Sequence, residues 1–185
     1  MKFIAFDPES KVIGQAFLGI NAAVDKRLIG PLLIKHGLDI QPDRWYPLQK
    51  LLDVMNDIDK KPDAISNMLT FVSIGQNLAQ NVYIPEEVEA FIKARGFIEF
   101  MHVFGSPTYF RDHQGYVGEH KVEKINEQQI KIVFNTPYPP DFWYGVFHGF
   151  ATRYCPSYFV VHYQDLVMRE PQPGESVIIH IVVQS

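Results

Sequence analysis

The chain has 185 residues, with 17 Lys and Arg against 21 Asp and Glu, a formal charge of −4. That balance, with no basic run, excludes the electrostatic footprint of a nucleic-acid binder. Hydrophobic residues make up 46%, and 14 Phe, 9 Tyr and 2 Trp bring the aromatic share to 14%, too much apolar surface for an intrinsically disordered chain.

Residues 1–17 hold two short apolar pieces, KFIAF and VIGQAFL, split by Asp7 and Pro8. A helical segment is expected from Asn21, with Pro31 kinking or restarting it and Lys35, His36 and Gly37 marking its end. Leu48, Leu51, Leu52, Met55 and Ile58 recur at spacings of three and four and predict a helix from Pro47 to Ile58. A third helix is read from Pro62 to about Gln80. A fourth opens at Pro85, carries Glu86 and Glu87 at its positive end, and runs to Phe104, where Gly105, Ser106 and Pro107 stop it.

Beyond residue 106 the pattern alternates. GYVGEHKVEKI (115–125) and QQIKIVFN (128–135) form an expected hairpin around Asn126-Glu127. In the second strand Ile130, Ile132 and Phe134 point one way, and Gln129, Lys131 and Val133 the other. A proline-set turn at 136–141 leads to a helix from Phe142 to Tyr154, with Asp141 as its N-cap. YFVVHYQ (158–164) and SVIIHIVVQ (176–184) read as two more strands, joined through the turn residues EPQPGE. Helices first, then strand, strand, helix, strand, strand, give the α+β class. No linker divides the chain, so one domain is expected over 1–185, mainly helical to 105 and β-β-α-β-β after it. The acidic start and the absence of a ~20-residue apolar run predict a soluble, cytoplasmic protein with no membrane span.

Four groups of residues carry possible chemistry. The seven histidines include His120, His162 and His180 on expected strands, but no metal-ligand spacing joins them, and solvated sheet-face histidines are expected. RDHQGYVGEH (111–120) places Gly115 and Gly118 near Arg111 and His113. It lacks a phosphate-loop pattern and reads first as a tight entry into a strand, while Arg111 and His113 beside Tyr109 and Phe110 could line a pocket mouth. Cys155 follows a helix C-terminus, the wrong end of the dipole for a thiolate, and reads as structural. It can form neither an internal disulfide nor a thiolate zinc site alone. Finally, DFWYGVFHGFATRY (141–154) crowds Phe142, Trp143, Tyr144, Phe147, Phe150 and Tyr154 onto one helix. Gly145 and Gly149 are four apart and predict close approach of that helix to the sheet. A helix apolar nearly all round is buried, or it walls a cavity or an interface.

NTPYPPDFWYGVFHGFATRY (135–154), with His113, Gly115 and Gly118 upstream and YFVVHYQ…PGESVIIHIVV downstream, resembles a small-molecule-binding superfamily. It includes vinyl-reductase-type (4-vinyl reductase) domains, haem–nitric-oxide-binding domains and Golgi transport (TRAPP) subunits. The resemblance covers residues 85–185 and, more loosely, the N-terminal helices. It implies a helical layer packed on a twisted four-stranded antiparallel sheet, one helix inserted between the two strand pairs, a pocket between the layers, and a dimer. The cysteines that vinyl-reductase-type domains place around the last turn are missing, although Gly174 is present. The Tyr-x-Ser-x-Arg triplet of haem–nitric-oxide domains is missing too. Neither a metal nor a nucleotide signature is present, and haem would have to rely on a lone histidine such as His102 or His148.

The leading expectation is a regulatory, non-catalytic domain that binds a small apolar ligand. Phe97, Met101, Phe104, Tyr109, Phe142, Trp143 and Phe147 would line the pocket, with Arg111 and His113 as polar anchors. The alternatives are a homodimeric interaction module with the same fold and a haem or nitric-oxide sensor.

Overall fold

A computed structural model of the protein describes residues 3–23, 26–60, 64–155, 159–163 and 177–183; side-chain surroundings are described for all of these except 19, 21–23, 26–28, 64–70 and 163. The expected helix start at Pro62, the EPQPGE turn, Tyr158, Gly174 and Ser176 lie outside the described residues.

Strand β1 (Lys11–Ile13) is the middle of a small sheet, between β2 (Trp45–Pro47) and the two-residue β3 (His113–Gln114). Val12 pairs with Tyr46 on one side and His113 on the other. Strands this short leave no alternation to read in sequence, and this sheet is absent from the sequence expectation. It ties the N-terminal segment to the loop that carries His113.

Helix α1 (Gly14–Ala23) starts seven residues before the expected Asn21. Helix α2 (Lys26–Lys35) runs through Pro31 instead of restarting there. Its end is as expected: Gly37 takes φ +63, and the Gly37 and Leu38 amides donate to the Ile34 and Leu33 carbonyls. Helix α3 (Leu48–Asp59) buries Leu48, Leu51, Leu52, Met55 and Ile58, the face that the spacing picks out. Helix α4 (Ala64–Asn81) follows.

The single helix expected after Pro85 is two, α5 (Glu86–Arg95) and α6 (Phe97–Arg111). Gly96 joins them at φ 86, ψ 169, a region in effect reserved for glycine. Helix α6 does not stop at Gly105, Ser106 and Pro107. Pro107 inside it costs about 3 kcal/mol in an isolated helix, but the last turn carries Tyr109 to 4% exposure, and its hydroxyl donates to the Val117 carbonyl at 2.7 Å. Tertiary burial offsets the local penalty.

Strands β4 (Glu119–Asn126), β5 (Gln129–Asn135), β6 (Phe159–Tyr163) and β7 (Val177–Val183) form an antiparallel sheet in the order β4-β5-β7-β6. The alternation in β5 holds: Ile130, Ile132 and Phe134 are buried, while Gln129, Lys131 and Val133 are not. The hairpin turn is Glu127-Gln128, one residue beyond the expected pair, and the Gln128 amide donates to Asn126 Oδ1 at 2.8 Å.

Helix α7 (Pro140–Tyr154) is inserted between the two strand pairs, as expected. Its N-cap is Pro139, not Asp141: Pro140 occupies the first helical position and Asp141 sits in the first turn. Gly145 and Gly149 face α4 rather than the sheet. A methyl at Gly145 would overlap the Val72 carbonyl, and one at Gly149 would sit 2.7 Å from the Gln76 carbonyl oxygen. The helical layer therefore covers the side of α7 that the sheet leaves free. Phe142 and Val146 belong to an N-terminal core, Phe147 and Ala151 to a core against the sheet, and Trp143 and Phe150 touch both. No helix among the described residues is long and apolar enough to cross a membrane.

Candidate functional site

The seam between the two cores holds an unusual concentration of polar aromatic groups. Tyr109 reaches it from α6, His113 from β3, His120 from β4, Tyr138 from the turn before α7, and Trp143 from α7. Gly115 and Gly118, at φ +79 and +85, let the chain between β3 and β4 turn sharply. A side chain at Gly118 would overlap the Asn135 carbonyl. This loop is the tight strand entry read from the sequence, and it places His113 and His120 against the same ring.

That ring is Tyr109. Its centroid lies 4.5 Å from His113, 5.0 Å from His120 and 5.4 Å from Trp143. The His120 and Tyr109 planes are stacked at 17°, and Phe134, Trp143 and Phe147 pack around His120 at 6.4, 5.4 and 6.1 Å.

The hydrogen bonds fix the protons. His113 Nδ1 meets the Tyr109 carbonyl at 2.7 Å. A carbonyl only accepts, so Nδ1 carries the proton. In the neutral ring Nε2 is then an acceptor, and the Tyr138 hydroxyl, 2.6 Å away, donates to it. Trp143 Nε1 donates to Thr136 Oγ1 at 3.0 Å. His120 Nδ1 has Ser106 Oγ at 3.4 Å.

Burial decides the charge state. Desolvation lowers the pKa of His113, against the raising effect of the Tyr109 carbonyl. Desolvation brings His120 down to about 4, helped by repulsion from His113. Burial also raises both tyrosine hydroxyls above their ordinary value. At neutral pH the site is uncharged: two neutral imidazoles and two protonated phenols enclosed by apolar rings.

Of the residues picked out from sequence, Tyr109, His113, Phe142, Trp143 and Phe147 come together here. Phe97 and Met101 are buried further along α6 in the sheet core, and Phe104 packs on Phe91 and Phe100. Arg111 does not join them: it is exposed on the last turn of α6 and bonds Asp112 at 2.8 Å. The sequence reading missed Tyr138 and His120. His120 is not a solvated sheet-face histidine, because it is 5% exposed and faces α6 and α7. A polar residue sharing a strand face with Val122 was the available signal. Cys155 caps α7, and burial pushes its thiol up to about 12, consistent with a structural role.

No family model and no curated protein matches the chain. Solved structures do. The chain is similar to a doubly substituted Tt H-NOX, with TM-score 0.65, 10% identity and 93% of each chain covered. It is similar to an H-NOX protein from S. oneidensis in the Fe(II)NO ligation state, with TM-score 0.61, 13% identity, and 94% of this chain and 99% of that one covered. A third is an oxygen-binding H-NOX domain related to soluble guanylate cyclases, with TM-score 0.61, 10% identity and 93% of each chain covered.

The fold is the H-NOX fold. At these identities the likeness reaches no further than architecture, and whether haem suits this H-NOX fold has to be judged on the residues present. The two interior imidazoles are already engaged, His113 through both nitrogens and His120 by rings packed around it. His102 is exposed on α6, and His148 bonds Gln76 at 3.0 Å. Glycine contacts close the α4–α7 interface. Phe147 and Ala151 pack with Ile130, Ile132 and Phe134 between α7 and the sheet. Arg153, which could hold a carboxylate, is bound to the Val82 carbonyl and Glu89. Among the described residues, His113, His148 and Arg153 are thus held by protein partners rather than open to a haem.

Proposed function

We propose that this domain is a non-catalytic sensor of a small, mostly apolar molecule, and that the seam around Tyr109, His113, His120, Tyr138 and Trp143 is where the molecule is read. One observation carries the reading. One imidazole and two phenols are buried, and a second imidazole half-buried, where apolar side chains of the same size would pack without needing hydrogen-bond partners. A few polar groups set in aromatic walls are the composition of a ligand seat. Trp143 is partly exposed and touches both cores, so its displacement would register in the helical layer and the sheet together.

The experiment uses the Trp45→Phe protein, which leaves Trp143 as its one tryptophan. Its emission is followed during titration with fatty acids, indole and simple aromatic hydrocarbons. A saturable spectral change, weakened in Tyr138→Phe, supports the reading. The absence of a saturable change with every probe contradicts it.

The H-NOX architecture favours a second reading, a haem or nitric-oxide sensor. The similar H-NOX structures include an Fe(II)NO ligation state and an oxygen complex. The engaged imidazoles described above oppose it, and an absorption spectrum decides between the two. Association as a homodimer is also proposed. The exposed Val103 and Phe110 on α6 support it, and light scattering across concentration tests it.

A further inference from the structure

His162 on β6 and His180 on β7 are register partners on the two adjacent strands that close the sheet. Their rings lie 5.3 Å apart and nearly parallel, at 12°. Both project from the face of the sheet opposite α7: their strand neighbours Val161, Ile179 and Ile181 are buried, whereas His162 is exposed and His180 half-buried. We propose that this pair binds a borderline transition-metal cation of the Zn²⁺ or Ni²⁺ class.

Imidazole suits such ions. Directly opposed residues on antiparallel strands hold their Cβ atoms about 4.5–5.5 Å apart. Small rotations of two side-by-side rings then bring one nitrogen of each within the roughly 2.0–2.1 Å that Zn²⁺ requires. The Gln129 side chain lies 3.2 Å from His180 Nδ1. With its amide turned, it would accept from Nδ1–H and present Nε2 to the ion, the usual outer support of a ligating histidine. Water would complete the coordination. The ion would pin the edge strand β6 to β7, and it lies on the opposite face from the Tyr109 seam, so it works independently of the ligand reading.

The test is calorimetric titration of the full chain with Zn²⁺ and with Ni²⁺, using Mg²⁺ as a hard-cation control, on wild type, His162→Ala, His180→Ala and the double variant. The expected result is one equivalent bound by wild type with a rise in thermal midpoint. Binding should weaken about tenfold or more in each single variant and vanish in the double, with no response to Mg²⁺. His162 is exposed, so His162→Ala keeps the fold and carries the test if His180→Ala unfolds. Wild type without saturable binding, or binding unchanged in His162→Ala, overturns the proposal.

Discussion

Tyr138 and His113 form the best-defined polar contact in the seam, a phenol donating 2.6 Å to a neutral ring whose other nitrogen is also occupied. Tyr138→Phe leaves the half-buried His113 acceptor without its donor. Stability falls by about 1–2 kcal/mol, read as a lower urea midpoint with an unchanged m-value. His120 adds a pH dependence. Unfolded, its ring titrates near the ordinary 6.5; folded, it titrates at about 4. Between those values the unfolded chain binds the extra proton. Stability is therefore full above 6.5 and falls as the pH drops toward 4, by about 3 kcal/mol from this residue alone. His113 shifts in the same direction and adds to the loss. Urea unfolding followed from neutral to mildly acid pH checks this, and His120→Phe flattens the profile. At this scale the sequence is half legible. Tyr109, His113 and Trp143 stood out because they lie in aromatic runs. Tyr138 was read only as part of a proline turn, and His120 as a sheet-face residue, because both owe their role to a ring that reaches them from another element.

Helix periodicity was the most readable signal at the scale of elements, and α3 follows it residue by residue. Breaks were less readable. A glycine reads alike whether it serves a backbone conformation, as Gly96 does, or a close contact, as Gly105 does beneath Val122. Substitution separates the two cases. Gly96→Ala forces an L side chain into φ 86 and costs about 1–3 kcal/mol. Gly145→Ala drives a methyl into the Val72 carbonyl at the α4–α7 contact. Backbone on both sides resists the shift, so the expected loss is about 1–3 kcal/mol or more, seen as a lower thermal midpoint. Gly30→Ala is the control, because nothing lies within 4 Å of its added methyl. The α4–α7 contact was invisible in sequence, since a pair of glycines four apart does not say which neighbour approaches.

For the whole molecule, α+β order and the inserted helix were legible in the alternation of the second half. The small β2-β1-β3 sheet, built from strands of two or three residues, was not. Two cores share α7, and rings and imidazoles line the seam between them. As proposed above, this domain reads an apolar ligand through its own aromatic and imidazole side chains rather than through haem. Titration of the purified protein with haemin, followed in the Soret region, tests it most directly. The expected result is no saturable Soret shift beyond that of free haemin, and no difference between wild type and His102→Ala. A stoichiometric, sharply shifted Soret band that is lost in His102→Ala or His148→Ala would contradict it.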